Sequence, residues 1–436
     1  MKKRTVFAAV LAVMMLLSGG MVFGGGGAEE TGQEGASGKP FDGYELNILM
    51  EAVPETDYIL ELLPEFEDQT GMTVNVEVVN FNVMYDRLVT QLIGPEGSGS
   101  DDVMQVSNEW SYEFGTAGWI TPLDSYLGNS DIDRSEYVPA IWDGLNNVDS
   151  QTYYVPFYHW SMGWIYRDDL MADPELAAEY QNEFGRPLEK PSTLDELLEW
   201  QQFMTRDLDG DAELEYGNVL QGSSPQNVPE FLLYLWANDC TIENIESGCG
   251  IEALEAYKEA FGNAPPGTAG MQFDQVNEVF IQGNAVSAIA YLWQQGILEQ
   301  PGSQAEGKTV LTTFPGEVSF LGAWGWAIPK SAPNPDAGWA FIEWVESARI
   351  ARARAEKGGE PARFDILEDE ELRNQFPQWE THYAILTNAN DYPRPLRSEA
   401  ALDVVGRALS RMVVDEITPR ETAAIIAEDV AERSSQ

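Results

Sequence analysis

The feature that most constrains this chain is a repeated change of hydrophobic period near its start. Tyr44, Leu46, Ile48 and Met50 alternate, the period of two that marks a strand. Pro54-Glu55-Thr56-Asp57 follows, with Thr56 read as an N-cap. Behind it Tyr58, Ile59, Leu62, Leu63 and Phe66 recur at helical spacing as far as Thr70-Gly71. Val74, Val76 and Val78 alternate again, and Met84, Leu88 and Leu92 return to the helical period. Asp101-Asp102-Val103-Met104-Gln105-Val106 and its following helix repeat the pattern. Strand, helix, strand and helix joined by short connections specify a parallel sheet covered by helices, because parallel neighbours need a crossover rather than a tight turn. The expected fold class is α/β. Later segments are richer in helix, with starts at Pro191-Ser192-Thr193, Asn334-Pro335-Asp336 and Thr418-Pro419.

Composition narrows the function. With 25 Lys and Arg against 72 Asp and Glu, the formal charge is −47, which repels nucleic acid and anionic membrane alike. The hydrophobic fraction of 44% is spread along 436 residues, enough for two or three lobes with buried cores. The carboxylate-rich, lysine-poor surface repels itself at low ionic strength and is relieved by salt. Two histidines, His159 and His382, and two cysteines cannot build a His-rich metal centre or a Cys-rich zinc module. No metal site and no cofactor are expected.

Residues 1–28 read as a signal peptide. Lys2-Lys3-Arg4 is a basic start, Val6 to Leu17 is an apolar run, and small residues follow. The run is shorter than the roughly 20 apolar residues that span a bilayer. No cysteine lies there, which argues against a lipid anchor, and residues 29–40 read as a flexible leader. The mature chain is expected to be soluble and exported, to the periplasm or the extracellular space. Cys240 and Cys249, close in sequence and in an oxidising compartment, are expected to form a structural disulfide. Asp207-Leu208-Asp209-Gly210-Asp211 has the opening of a calcium loop. Its glycine is misplaced, however, and Asn218 stands where a bidentate carboxylate is needed, so a solvated turn is the expectation.

Several short patterns then occur in order. They are Phe66-Glu67-Asp68-Gln69-Thr70-Gly71; Gly118-Trp119-Ile120-Thr121-Pro122-Leu123; Tyr154-Val155-Pro156-Phe157 with Ile165-Tyr166-Arg167-Asp168-Asp169-Leu170; Phe280-Ile281-Gln282-Gly283-Asn284-Ala285; and Gly322-Ala323-Trp324-Gly325-Trp326-Ala327-Ile328-Pro329. Together they resemble the extracellular solute-binding proteins of ABC importers, the sugar- and polyol-binding family typified by maltose-binding protein. Arg167 departs from that pattern, where the family usually has Asn. The resemblance implies two α/β lobes with a ligand cleft between them and a hinge that closes on the solute. It puts the crossings near Phe157, Thr312 and Pro361, so that lobe 1 holds 41–157 plus 312–361 and lobe 2 holds 158–311 plus 362–436. It further implies a monomer that delivers its ligand to an ABC permease in the membrane.

Sugars and polyols present a polar rim and an apolar C–H face, so their receptors combine aromatic rings with carboxylates, amides or Arg. On the resemblance, Glu109, Trp110, Trp160, Trp293, Trp324 and Arg363 are the ligand-binding candidates. Glu109 and Trp110 follow the third strand, where open parallel sheets bind ligands. Trp326 shares the strand face of Trp324 and is an alternative platform. His159 reads as a hinge residue, and Trp164, Trp200, Trp339 and Trp344 as packing. Two other functions compete. A secreted carbohydrate-active enzyme needs a carboxylate pair about 5–10 Å apart across one bond, and no acid here is framed by such a motif. A cell-surface scaffold would need no strand-end aromatic cluster. The reading is a binding protein, not an enzyme.

Overall fold

The computed structural model describes residues 39–208, 210 and 212–434. The expected signal at 1–28 and nearly all of the leader lie outside the described residues.

Among the described residues ten strands are distributed over two sheets. They are β1 (Glu45–Glu51), β2 (Thr73–Val79), β3 (Val103–Ser107), β4 (Val155–His159), β5 (Met162–Arg167), β6 (Ser287–Tyr291), β7 (Thr309–Thr312), β8 (Ser319–Phe320), β9 (Ala323–Ala327) and β10 (Ala389–Asn390). The first sheet has the order β2-β1-β3-β9-β4. Its β1, β2 and β3 are parallel, and β9 runs antiparallel between β3 and β4. The second has the order β10-β8-β5-β6, with β7 also paired to β5. This is the expected α/β class, in two lobes.

Local sequence explains the elements that frame the first lobe. Leu46, Ile48 and Met50 of β1 are buried, whereas β2, an edge strand, alternates between exposed and half-buried positions. The helix Pro54–Thr70 begins at Pro54, whose fixed φ suits the first helical position. The N-cap is therefore Val53 and not Thr56, whose hydroxyl donates instead to the Glu51 carbonyl at 2.7 Å. The helix ends on Gly71 at φ 79°, a left-handed position that costs glycine nothing. Thr193, Asn334 and Thr418 each stand at a helix start as their sequences foretell.

The chain passes from the first sheet to the second at Trp160-Ser161, between β4 and β5, and returns at Leu321-Gly322, between β8 and β9. That return is later than the expected Thr312, because β7 and β8 both pair with β5 before the chain leaves. Downstream, the helix Trp379–Thr387 packs on the second sheet, where Ser319 donates to the Ile385 carbonyl at 2.8 Å. β10 then joins β8. One apolar core surrounds the first sheet and continues along the second through Ile165, Ala288, Ala290 and Leu311; another gathers Trp164, Trp200, Phe231, Tyr257, Leu402 and Ile426. Trp164, Trp200, Trp339 and Trp344 are all buried packing. Cys240 and Cys249 are joined by a disulfide with Cα atoms 5.7 Å apart. Asp207 closes its turn by accepting from the amides of Gly210 at 2.6 Å and Ala212 at 3.0 Å.

Candidate ligand site between the lobes

The strand ends that carry the first two passages converge, and the aromatic residues cluster around them. Trp324 is the second residue of β9, with Ser107 of β3 on one side and Tyr158 of β4 on the other. Its ring lies nearly parallel to Tyr158 (centroids 6.4 Å, 13°) and edge-on to Trp110 (5.7 Å, 83°). Trp110, in the first turn of the helix Asn108–Thr116 after β3, stacks on Phe81 at 5.4 Å and 17°. Both indoles are enclosed, at 2% exposure for Trp324 and 1% for Trp110. Trp326 is core: it packs on Phe157 and Phe341, and its Nε1 donates to Glu346 at 2.9 Å. Of the two indoles on β9, Trp324 is the one beside the passages.

A second aromatic group belongs to the other lobe. Trp160, in the first passage, contacts Phe320 (5.4 Å) and Tyr291 (5.9 Å). Tyr291 lies parallel to Trp293 (5.6 Å, 3°), with Phe273 5.5 Å from each. Trp160 and Trp293 are both half-buried, so these rings keep free surface. The two passages touch directly. The Trp160 amide donates to the Gly322 carbonyl at 2.9 Å, and the Trp160 ring covers Gly322 so closely that a Cβ there would meet ring carbons at 2.0–2.4 Å. Only glycine fits under that indole.

Among the rings sit polar atoms that burial has stripped of water. Glu109 Oε2 accepts from the Tyr392 hydroxyl at 3.3 Å, while its buried Oε1 has no partner. The same holds for Gln105 Nε2, Gln221 Oε1 and Trp160 Nε1. An unpaired buried polar atom costs about 1–3 kcal/mol, so each of these atoms gains from a further partner. Glu51, ending β1, accepts from Tyr158 at 2.6 Å. Electrostatics ties the two lobes together at this point. Burial raises the Tyr291 phenol, a hydrogen bond from Gln221 opposes the rise, and Glu230, Glu109 and Glu51 add to it. Tyr291 of the second sheet thus feels carboxylates of the first. Desolvation also holds Glu109 well above the usual carboxylate range, with Glu399 and Glu51 adding to it, and brings Glu51 up to about 7.

Glu109, Trp110, Trp160, Trp293 and Trp324 are therefore brought to one region. Arg363 is not. It is 2% exposed in the first lobe and bonded to Asp365 (2.9 Å), to Glu136 (2.7 Å) and to the Glu346 carbonyl (3.1 Å). Its guanidinium also lies 5.3 Å from the centre of the Tyr137 ring. Every one of these partners is structural, and Asp365, two residues on, is the signal in the sequence that foretold it. His159, expected at the hinge, is buried beside Glu360 at 3.3 Å, and His382 approaches the same oxygen at 3.3 Å. Burial alone would raise Glu360, but the two imidazoles outweigh it and hold the carboxyl well below its ordinary range.

The bacterial extracellular solute-binding protein family matches residues 52–351. This chain belongs to that family. It is a family of binding proteins rather than enzymes. Among similar proteins is an erythritol/L-threitol-binding protein of Mycolicibacterium smegmatis, 24% identical over 370 residues, which cover 78% of this chain and 74% of that one. An ABC transporter solute-binding protein from Agrobacterium radiobacter K84, in complex with ribitol, has a TM-score of 0.76 at 22% identity, covering 91% of this chain and 100% of that chain. Maltose-bound MalE3 of T. maritima has a TM-score of 0.75 at 20% identity, covering 89% and 99%. At these identities the solved structures show the fold. As an extracellular solute-binding protein the chain has its polar candidates where two sheets meet. Gln105, Gln221, Tyr291 and Tyr392 join that set, although no reading of local sequence singled them out. Gln221 is placed by tertiary pairing, since Tyr216 and Val219 bridge to the residues leading into and along β6.

Proposed function

We propose that this chain is the extracytoplasmic receptor of an ABC importer and captures a neutral sugar or sugar alcohol between its lobes. The observation that carries the reading is the convergence of unpaired buried atoms on half-buried rings. Glu109 Oε1, Gln221 Oε1 and Trp160 Nε1 supply acceptors and a donor beside Trp160, Tyr291 and Trp293. Hydroxyls satisfy the former and sugar C–H faces cover the latter. The polyol- and sugar-binding relatives support the same ligand class. Glu109, Trp110, Trp160, Trp293 and Trp324 form the wall of the site, and ligand contacts made by both lobes hold them closed. The receptor acts as a monomer, is exported through a signal at residues 1–28, and hands its ligand to a membrane permease.

The test is thermal shift and tryptophan emission of the mature chain against a panel of tetritols, pentitols, hexitols, monosaccharides, maltodextrins, amino acids and peptides. A true ligand at 100 times its Kd stabilises the fold by about 2.7 kcal/mol and perturbs the emission. Trp293→Ala should abolish most of the response while leaving the unliganded melting temperature nearly unchanged. A response to amino acids or peptides alone would refute the carbohydrate assignment.

A further inference from the structure

We propose that the segment from Asp391 to Glu399 closes one end of this cleft. It limits the ligand to a single sugar ring or an acyclic polyol of similar length, and Arg394 and Glu399 set the limit. The inference rests on the carbohydrate reading above and deepens it.

The first turns of the helix Asn108–Thr116 are engaged by that segment almost residue by residue. Asn108 Nδ2 donates to Asp391 at 2.7 Å. Tyr392 donates to Glu109 at 3.3 Å. Trp110 Nε1 donates to Glu399 at 3.0 Å. Arg394 donates to the Tyr112 hydroxyl, with its guanidinium carbon 4.5 Å from the centre of the Tyr112 ring. Arg397 anchors the segment from behind, donating to the Gly144 carbonyl at 2.6 Å and to the Tyr392 carbonyl at 3.0 Å. Asn108 also donates to the Leu321 carbonyl at 3.2 Å and accepts from the Ala323 amide at 3.1 Å, which ties the second passage to the same point.

The consequence for ligand length follows from what these contacts use up. A chain of several sugar rings needs a succession of open aromatic faces and open polar groups along the groove. Here Trp110 has one face against Phe81, its edge at Trp324 and its N–H on Glu399, and it is 1% exposed. Trp324 is 2% exposed. The aromatic surface that stays open is on the other side of the passages, at Trp160, Tyr291 and Trp293. The unpaired Trp160 Nε1 belongs to that open group, and Gln221 and Glu109 both act on Tyr291 within it. Open aromatic faces are thus confined to one group, while the contacts of the Asp391–Glu399 segment occupy the helix that carries the other.

Isothermal titration calorimetry on the mature chain tests this with erythritol, ribitol, mannitol, glucose, maltose and maltotriose. The expected result is binding of one of the smaller compounds, with maltose and maltotriose weaker by about 100-fold or more. In Arg394→Ala/Glu399→Ala, checked for folding by circular dichroism, that gap should narrow by at least about tenfold. Glu399→Gln, which keeps an acceptor for Trp110, should leave it unchanged. Maltotriose binding to the wild type as tightly as the best small compound would overturn the limit and leave the carbohydrate reading standing. A folded double variant with an unchanged gap would remove Arg394 and Glu399 as its cause. If the double variant fails to fold, the wild-type size series decides the limit alone. Absence of binding to any carbohydrate would refute the underlying reading and this inference with it.

Discussion

Glu230 offers a sharp test of how burial tunes the acids of the second lobe. It lies in the helix Asn227–Ala237, fully enclosed, and accepts the Gln221 amide on both carboxyl oxygens at 3.0 and 3.1 Å. Desolvation dominates and lifts its pKa from 4.5 to about 8, against the lowering effect of the Gln221 hydrogen bonds. The sign follows from proton linkage. A carboxyl whose folded pKa is raised contributes stability at low pH and loses it as pH rises from the unfolded value through the folded one. At about 1.4 kcal/mol per pKa unit, the penalty on the folded state is about 1 kcal/mol at pH 5 and about 3 at pH 7, levelling near 5 above pH 9. Glu230→Gln removes the titration. It keeps one acceptor for the Gln221 amide and turns an NH2 toward the same donor, a cost of about 1 kcal/mol. The variant should match the wild type near pH 5 and exceed its stability by roughly 3–4 kcal/mol at pH 9, the difference climbing about 1.4 kcal/mol per pH unit between 5 and 8. Urea unfolding followed by tryptophan emission, with equal slopes for both proteins, measures it. Glu51, Glu55 and Glu346, also raised to about 7, are present in both proteins and cancel. A difference that stays flat from pH 5 to 9 would refute the argument.

Three further outcomes are expected. Gly322→Ala drives a methyl into the Trp160 ring, so it should destabilise by about 1–3 kcal/mol and shift the tryptophan emission maximum, as equilibrium unfolding and fluorescence will show. Arg363→Ala removes a buried donor from the Glu346 carbonyl and leaves the partly exposed Glu136 and Asp365 unpaired, and should cost about 1–3 kcal/mol in urea unfolding, with ligand affinity unchanged in calorimetry. Replacing Cys240 and Cys249 by Ser releases a short loop and should cost about 2–3 kcal/mol, read as a lower melting temperature.

The fold was legible where its causes are local. The alternation of Leu46, Ile48 and Met50, and the helical spacing behind Pro54, are written in neighbouring residues. β9 was not legible as a partner of β3 and β4, because a strand inserted from far along the chain leaves no periodicity at the place it enters. The site shows the same division. Trp110, Trp160 and Trp324 could be named from short patterns, yet the enclosure of Trp110 and Trp324 depends on Phe81, Tyr158 and Glu399, which no pattern joins to them. Arg363 went the other way, since Asp365 nearby and Glu136 far away claim its donors. Gln221, Tyr291 and Tyr392 became visible only once the second sheet was assembled.

The insertion of β9 also dictates an order of assembly. β3 and β4 each lack a neighbour until Ala323–Ala327 is available, and the pairs Met104 with Ala327 and Val155 with Trp326 close loops that span much of the polypeptide. Such distant pairings are slow to form. As the chain emerges from the ribosome, the lobe begun first is among the last parts to be finished.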